Sequence, residues 1–381
     1  MEHKGIFYQA SIINICLNKQ ISQENGAKNL GISPRQLRRK IKKYKDSEGN
    51  IFSLEHGLKG KPSNNSICPE LKKQVIDIAK SEKYKGFSNV LFSSEMEKRE
   101  KIAIKPATLR SWLISEKIIE ALKRRTGKKH ISRPRKLNFG EMLQIDGSFH
   151  EWFINNPIKE DRKGCLLNLI DDNTSINDIL FDKQETMDCA CRLLWNWIEK
   201  YGIPMSIYCD RRNMYVTENH YDTMLSPKGF FRQMCENLNI RVIAANSPQA
   251  KGRVERSNKT HQDRLIKLMK LDGIRTIQEA NKYVKNIYIP EHNKKYAMEK
   301  TEHTRDIHRQ KPENLTLDDV CYIEEKRVLK NDWTISYRGE IIQLLSKSKN
   351  LYSREVLVRR NLAGELKIIH RNVEITYKKI A

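Results

Sequence analysis

Three acidic residues adjoin hydrophobic segments at positions from which their carboxylates can act together. Asp146 ends the segment LQID, Asp210 ends IYCD, and Glu255 lies in SPQAKGRVER at the start of an amphipathic stretch. Strand ends on one side of an α/β sheet and the first turn of a helix can converge on one point. Three carboxylates there repel one another unless cations neutralise them. Mg²⁺ prefers such oxygen ligands, and two ions about 3.5–4 Å apart can promote phosphodiester transfer. We therefore predict a two-ion Mg²⁺ site in which Mn²⁺ can substitute.

Apolar segments with strand and helix character surround these residues and predict an α/β domain over residues 140–300. The predicted strands are Met142–Ile145, Leu166–Ile170, Ser206–Tyr208 and Arg241–Ala245. The predicted helices are a segment containing Leu193, Leu194, Trp197 and Ile198, then Gly252–Lys270 and Ile277–Ile289. Trp195 and Trp197 are expected in the core.

Other polar residues of this domain have simpler explanations. Asp171 and Asp172 precede Asn173-Thr174-Ser175, a run that is typical of a turn, and Asp222 is expected in a solvated loop. Ser148 and His150 share a strand face with Asp146. His150 is interpreted as a structural histidine, with contact to substrate as the alternative.

The distribution of charge points to a polyanionic partner. The net charge is +24, and residues 1–140 hold 31 Lys and Arg against 13 Asp and Glu. Within this region, Ile12–Tyr44 has the pattern of a helix-turn-helix. The first helix is expected to end at Gly31, and Ser33 is expected to cap a second helix that begins at Pro34. Leu37 and Ile41 then face inward.

This second helix leaves five residues facing outward for the DNA major groove: Arg35, Gln36, Arg38, Arg39 and Lys42. We assign residues 1–50 to this domain; a basic helical hairpin with a solvated face is the alternative. Residues 66–122 are expected to form a second, winged-type helix-turn-helix, with Lys105, Thr108 and Arg110 facing DNA. A helical spacer is the alternative there. Residues 123–139 are interpreted as a basic linker that follows phosphates.

The remaining features bound the class of protein. Residues 315–381 are strand-rich and predict a small β-barrel. The eight cysteines lack metal-ligand spacing, so free thiols are expected. The sequence contains no apolar run of membrane-spanning length and no secretory signal. A cytoplasmic, nucleoid-associated protein without a membrane partner or a small-molecule substrate is therefore expected.

Four blocks occur together in order: LQIDGSFHEWF, NLIDDNTS, IYCD and ANSPQAKGRVERSNKTHQDRL. They resemble the integrase core of bacterial insertion-sequence transposases, which are relatives of retroviral integrases. The resemblance covers residues 142–300 and implies an RNase H-like fold. It implies that Asp146, Asp210 and Glu255 are the metal-binding and catalytic triad. The spacing between Asp210 and Glu255 is longer than in retroviral integrases, and the surplus falls in a polar stretch over 213–227.

The resemblance implies a multidomain α/β DNA transposase that binds terminal inverted repeats and joins them to target DNA as a homo-oligomer. Lys251, Arg253 and Arg256 are expected to contact phosphates. Lys259, four residues after Glu255, is expected either to hold a phosphate or to form a surface pair with Glu255. Two rival functions remain open, namely an inactive DNA-binding regulator and a metal-dependent nuclease without strand transfer. A structural nucleic-acid-binding protein is a third, less favoured alternative.

Overall fold

The computed structural model describes residues 5–55, 67–121, 133–210, 229–244, 252–298, 303–345 and 355–380. The chain divides into two compact units, residues 1–79 and residues 80–381. The predicted helical domain over 66–122 is thus divided between them. None of the described helices is long and apolar enough to cross a membrane.

The first unit contains the predicted helix-turn-helix. Helices α1 (Ile6–Leu17), α2 (Gln23–Leu30) and α3 (Pro34–Asp46) surround a core that includes Ile13, Ala27 and Leu37. The local signals act as expected. Gly31 ends α2 at a φ of +66°, and Ser33 forms a capping box with Gln36 at the start of α3. Helix α4 (Pro69–Lys80) follows.

The second unit begins with helices that pack on its central domain. These are α5 (Asn89–Glu95), which continues as a π-helical turn over Met96–Glu100, and α6 (Pro106–Ser115). Leu91 of α5 lies in one cluster with Trp152 and Leu265 of the central domain.

A mixed five-stranded sheet forms the centre of this unit, in the order β3-β2-β1-β4-β5. Its strands are β1 (Leu143–Glu151), β2 (Lys163–Asp171), β3 (Asn177–Asp182), β4 (Ser206–Cys209) and β5 (Arg241–Ala244). Strands β1, β2 and β3 are antiparallel, whereas β4 and β5 run parallel to β1. Two of these strands depart from the prediction, because β1 continues five residues beyond Asp146 and β3 was not predicted.

The helices of the central domain include α7 (Met187–Tyr201), α8 (Phe230–Asn237), α9 (Gly252–Leu271), α10 (Ile277–Tyr283) and α11 (Ile289–Tyr296). A π-helical segment over Val284–Tyr288 joins α10 to α11. The core lies between α7 and the sheet, and it contains Trp195 and Trp197 as predicted. All eight cysteines are free, as predicted, and six of them are buried.

After the short helix α12 (Leu317–Val320), the C-terminal strands form two sheets. One has the order β11-β10-β9-β6 and the other has the order β12-β8-β7. The strands are β6 (Tyr322–Val328), β7 (Thr334–Tyr337), β8 (Glu340–Leu344), β9 (Glu355–Asn361), β10 (Leu366–His370), β11 (Val373–Ile375) and β12 (Tyr377–Ile380). Both sheets contribute to one core, which includes Ile335, Ile342 and Val358. Within the described residues these are open sheets, so the predicted closed barrel is not observed.

Candidate active site

The sequence pattern predicted Asp146 at the end of a strand, but the residue lies inside β1. It is partly buried and pairs with Asn168 of the antiparallel strand β2. On its other side, β1 pairs with the parallel strand β4, with Leu143 opposite Ile207 and Gln144 opposite Tyr208. Continuing this register by two residues aligns Asp146 with Asp210, which directly follows β4. Aligned residues of neighbouring strands project from the same sheet face, so this continued register would bring the two carboxylates to one face.

Helix α9 is fixed against β1 by three polar contacts. The Val254 amide donates to Gln144 Oε1 at 3.3 Å and Asn258 Nδ2 donates to Asp146 Oδ2 at 2.9 Å. Gln262 Nε2 donates to Ser148 Oγ at 2.8 Å.

The spacing of the two elements explains this match. Four residues of a helix rise about 6 Å, and two residues of a strand rise about 6.6 Å. Residues 254, 258 and 262 of α9 can therefore lie beside residues 144, 146 and 148 of β1 in turn. Asn258 and Gln262 were not predicted as site residues, although their four-residue spacing along α9 is visible in the sequence. Their contacts show how the helix orients the carboxylate of Asp146.

Glu255 lies in the first turn of α9, as predicted, and its side chain is exposed. At about 100° per residue, Glu255 is about 60° around the helix from Asn258, so it lies at the edge of the α9 face that meets β1. Among the described residues, which include the whole predicted triad, no group of three or more His, Cys, Asp or Glu is close enough to hold a metal ion. Mutual repulsion of carboxylates favours such a separation in a protein without cations.

Negative charge is concentrated beneath this strand. The Glu185 carboxyl lies where a side chain at Gly147 would begin, because a Cβ added there would be 2.6 Å from Glu185 Cδ. Burial, together with the charges of Glu185 and Asp146, raises the pKa of Cys165 to about 12. Gly147 and Asp146 project from opposite sheet faces, so Glu185 lies on the other side of β1 from the Asp146 carboxylate. Asp146 and Asp210 themselves carry the oxygen donors that Mg²⁺ prefers. The chemistry of this donor set therefore fits a divalent cation, and Glu255 adds a third carboxylate from the first turn of α9.

Asp171 and Asp172 have the structural role predicted for them. The Asp171 carboxylate accepts from the Gly140 amide and from the amide and hydroxyl of Thr174, which closes the turn after β2. Asp172 is fully buried and accepts from Gln144 Nε2 and the Lys136 amide.

The guanidinium groups of Arg133 and Arg253 also pair with Asp172. Only 11% of the Arg253 side chain is exposed. This placement favours a role for Arg253 in positioning the start of α9 over the phosphate contact expected from the sequence. Gln144 links this ion pair to α9, since its other side-chain atom accepts from Val254.

The remaining predicted DNA contacts lie at several places. Arg256 and Lys259 are exposed on α9, and Lys251 lies outside the described residues. On α3 the five predicted residues Arg35, Gln36, Arg38, Arg39 and Lys42 are all exposed. At α6, Lys105 and Arg110 are exposed and Thr108 is partly buried. Ser148 is buried in the contact with Gln262, whereas His150 is exposed and its ring lies 5.8 Å from that of Trp152. The structural role and the substrate contact both stay predictions for His150.

Comparison with known proteins identifies the class. The chain is 30% identical over 377 residues to y4bF of Sinorhizobium fredii (strain NBRC 101917 / NGR234), a protein named as a transposase; the match covers 96% of this chain and 79% of the relative. It is 28% identical over 304 residues to the transposase for insertion sequence IS1202 of Streptococcus pneumoniae, covering 70% of this chain and 63% of that relative. The chain belongs to the insertion-sequence transposases. This membership places it in the polynucleotidyl transferase class of enzymes.

Further matches are to a family model and to solved structures. A helix-turn-helix model described as "Bacterial regulatory protein, Fis family" matches residues 23–44, which span α2 and most of α3. The HTLV-2 integrase catalytic core domain, solved in complex with magnesium, is 18% identical to this chain, and the match covers 40% of this chain and 90% of that domain, with a TM-score of 0.30. A chain of the simian T-cell lymphotropic virus intasome, solved in complex with PP2A regulatory subunit B56 gamma, is 15% identical, and the match covers 75% of this chain and 95% of that one, with a TM-score of 0.33.

Proposed function

We propose that this protein is a DNA transposase that binds the terminal inverted repeats of its element and catalyses metal-dependent hydrolysis and strand transfer. The alignment of Asp146 with Asp210 in the parallel register of β1 and β4 carries the proposal. It brings two carboxylates to one sheet face, beside the helix that carries Glu255. The order of these residues along the chain is also that of the insertion-sequence family.

The proposed cofactor is a pair of Mg²⁺ ions, with Mn²⁺ as a substitute, held by Asp146, Asp210 and Glu255. When bound, such ions activate the attacking oxygen and stabilise the leaving oxygen of a phosphodiester. Asn258 keeps one oxygen of Asp146 directed toward α9. Glu255 then completes the donor set from the first turn of the same helix. No side-chain nucleophile is required, so water and a DNA 3′-hydroxyl serve as successive attacking groups.

Further residues of the chain are proposed to position DNA. Lys259 lies one turn after Glu255 on an exposed part of α9, where its ammonium group can hold a phosphate near the reacting bond. The five exposed polar residues of α3 are proposed to contact the major groove, in the manner of a recognition helix. Lys105, Thr108 and Arg110 are proposed to contact DNA from α6. Because two element ends must be joined together, the protein is proposed to act as a homo-oligomer assembled on DNA.

A strand-transfer assay tests this function. Purified protein is mixed with a labelled terminal-repeat duplex and a supercoiled target plasmid, with Mg²⁺, with Mn²⁺ or with EDTA. The test variants are Asp146→Asn, Asp210→Asn and Glu255→Gln. Glu151→Gln is the matched control, because Glu151 is an exposed carboxylate at the end of the same strand as Asp146. We expect joined products that require metal, are lost in the three test variants and persist in the control.

The assay also separates the rival functions. Cleavage without joining would identify a nuclease. Specific binding of the repeat without cleavage would identify a DNA-binding regulator. Activity that survives in one of the three variants would show that this carboxylate does not belong to the active site.

A further inference from the structure

A basic cleft lies on the side of α9 that faces away from Glu255. Its volume is about 270 Å³, and it opens between α9, α11 and the turn after β2. Helix α9 contributes four residues to it at three- and four-residue steps, which places them on one helix face: Arg253, Arg256, Ser257 and Thr260. At about 100° per residue the centre of this face is about 130° around the helix from the one that carries Glu255 and Lys259, with Arg256 between the two. The cleft therefore lies on a different face of α9 from Glu255.

Positive charge in the cleft is held in place before any ligand binds. Arg135 lines the cleft, and its guanidinium donates to the carbonyl oxygens of Asp172 and Asn173 and to Ser175 Oγ. Burial lowers the pKa of Arg135, and the neighbouring charges of Arg253 and Arg256 lower it further. Asp172 compensates Arg253, whereas Arg256 remains exposed at the rim. An anion in the cleft would relieve the repulsion among these cations.

His292 also lines this cleft and carries a buried polar atom without a partner. It is 5% exposed, and its Nδ1 atom has no hydrogen-bond partner in the protein. Its other nitrogen, Nε2, lies 3.3 Å from Asn177 Nδ2.

The tautomer of His292 follows from the neighbouring bonds. Ser257 Oγ donates to Asn177 Oδ1, so the opposite side of the Asn177 amide is the donor. Asn177 Nδ2 therefore donates to His292 Nε2. Burial lowers the pKa of His292 to about 4, so the ring is neutral at pH 7 and its single proton is on Nδ1. A buried N–H without an acceptor is costly, and an anionic oxygen in the cleft would satisfy it.

We propose that this cleft binds a phosphate group of the DNA backbone, held by Arg135, Arg256 and the Nδ1–H group of His292. The choice of DNA as the source of the phosphate rests on the proposed function. The cleft is on a different face of α9 from Glu255, so the bound phosphate is a different one from the phosphate of the reacting bond. The site holds DNA in place and takes no part in the chemical steps.

The test measures duplex binding by the full-length protein in EDTA, so that it does not depend on metal or catalysis. Arg256→Gln is the principal variant, because Arg256 is exposed and its replacement leaves the core intact. Lys270→Gln is the matched control, since Lys270 is an exposed cation fourteen residues further along the same helix. His292→Phe removes the neutral donor and keeps an aromatic ring. Folding of each variant is verified by its unfolding transition.

Affinity is measured by fluorescence anisotropy between 50 and 200 mM salt. Loss of one phosphate contact reduces the slope of log K against log salt by about 0.9. The ratio of the affinities at 50 and 200 mM salt is then about 3.5-fold smaller than in the wild type. We expect this reduction in Arg256→Gln and not in Lys270→Gln. In His292→Phe we expect weaker binding with an unchanged slope, because a neutral donor releases no counterion. A second titration with inorganic phosphate tests whether free phosphate competes for the cleft.

Equal slopes in wild type and Arg256→Gln would overturn the proposal, and so would equal reductions in Arg256→Gln and Lys270→Gln. Saturable binding of inorganic phosphate that Arg256→Gln abolishes, with no change in the DNA slope, would also overturn it by showing a site for free phosphate. Failure of the strand-transfer assay leaves this test intact, because the binding measurements contain no metal.

Discussion

Replacing Asn258 with aspartate tests how α9 holds the carboxylate of Asp146. In the wild-type protein, Asn258 Nδ2 donates to Asp146 Oδ2 at 2.9 Å, and Asn258 is only 6% exposed. The Asn258→Asp variant has nearly the same shape but places a second carboxylate at this distance. Folding must then accommodate two adjacent negative charges or bind a proton between them.

Two estimates give the size of this effect. Protonating a carboxyl group with an ordinary pKa of about 3.9 at pH 7 costs about 4.2 kcal/mol. The repulsion of two charges about 4 Å apart at an effective dielectric constant of 20 is also about 4 kcal/mol. Because Asp146 is partly solvated, we take about 4 kcal/mol as the upper limit of the destabilisation at pH 7.

The pH dependence identifies the cause. The shared proton raises the folded-state pKa of the pair above its unfolded value, so the folded variant binds more protons than the unfolded chain. The deficit in unfolding free energy therefore grows as pH rises. At pH 5 the same calculation gives about 1.5 kcal/mol, so the variant should recover about 2.7 kcal/mol relative to wild type between pH 7 and pH 5.

The measurement is urea unfolding at both pH values in EDTA. The double variant Asp146→Asn, Asn258→Asp has a single carboxylate in the pair, so it should regain most of the stability. Asn258→Ala should show a deficit that is constant with pH relative to wild type. A pH-independent deficit in Asn258→Asp, or a double variant no more stable than the single one, would refute the proposed contact between α9 and Asp146.

Three further predictions concern the supports of the site. Asp172→Ala leaves Arg133 and Arg253 without their buried partner. The unfolding free energy should then fall by about 3–5 kcal/mol. The control is Asp161→Ala at an exposed residue, and an equally small loss in both variants would contradict this prediction. Gly140→Ala should lower thermal stability by more than Gly273→Ala. Both residues have positive φ, which costs about 1–2 kcal/mol for alanine, but only at Gly140 would the Cβ meet another group, the His308 ring at 2.5 Å. Stability measured by urea unfolding should be full above pH 6.5 and fall toward pH 4, because the buried neutral His292 has a folded pKa of about 4 and an ordinary unfolded one. His292 should contribute about 1.4 kcal/mol per pH unit to the fall in unfolding free energy over this range. If the unfolding free energy of His292→Gln fell equally steeply with pH, His292 would not be the buried neutral group responsible.

The N-terminal domain was determined largely by local sequence. Gly31 fixes the end of α2, Ser33 and Pro34 fix the start of α3, and both boundaries are observed where these residues predict. Helix capping, backbone restriction and hydrophobic periodicity act within a few residues, so a single sequence reveals them. The same kind of signal located α9, β4 and β5. It also predicted the class of protein, because the motif blocks around Asp146 and Glu255 are contiguous.

Other features depended on contacts between distant segments. The part of β1 that continues beyond Asp146 is stabilised by pairing with β2. The length of β1 therefore could not be predicted from the segment LQID alone. The small β-barrel predicted at the C-terminus is not confirmed within the described residues, where the strands form two open sheets. Strand patterns in a sequence do not state which strands pair.

The surroundings of the candidate site were likewise decided by tertiary structure. Arg253 looked like a phosphate contact in the sequence, but the buried carboxylate of Asp172, 81 positions away, takes its guanidinium. The alignment of Asp146 with Asp210 and the donation from Asn258 depend on the register of two strands and the packing of one helix. The sequence supplied the carboxylates, whereas the fold alone decided which groups surround each one, since hydrogen bonding and burial act through space and not along the chain.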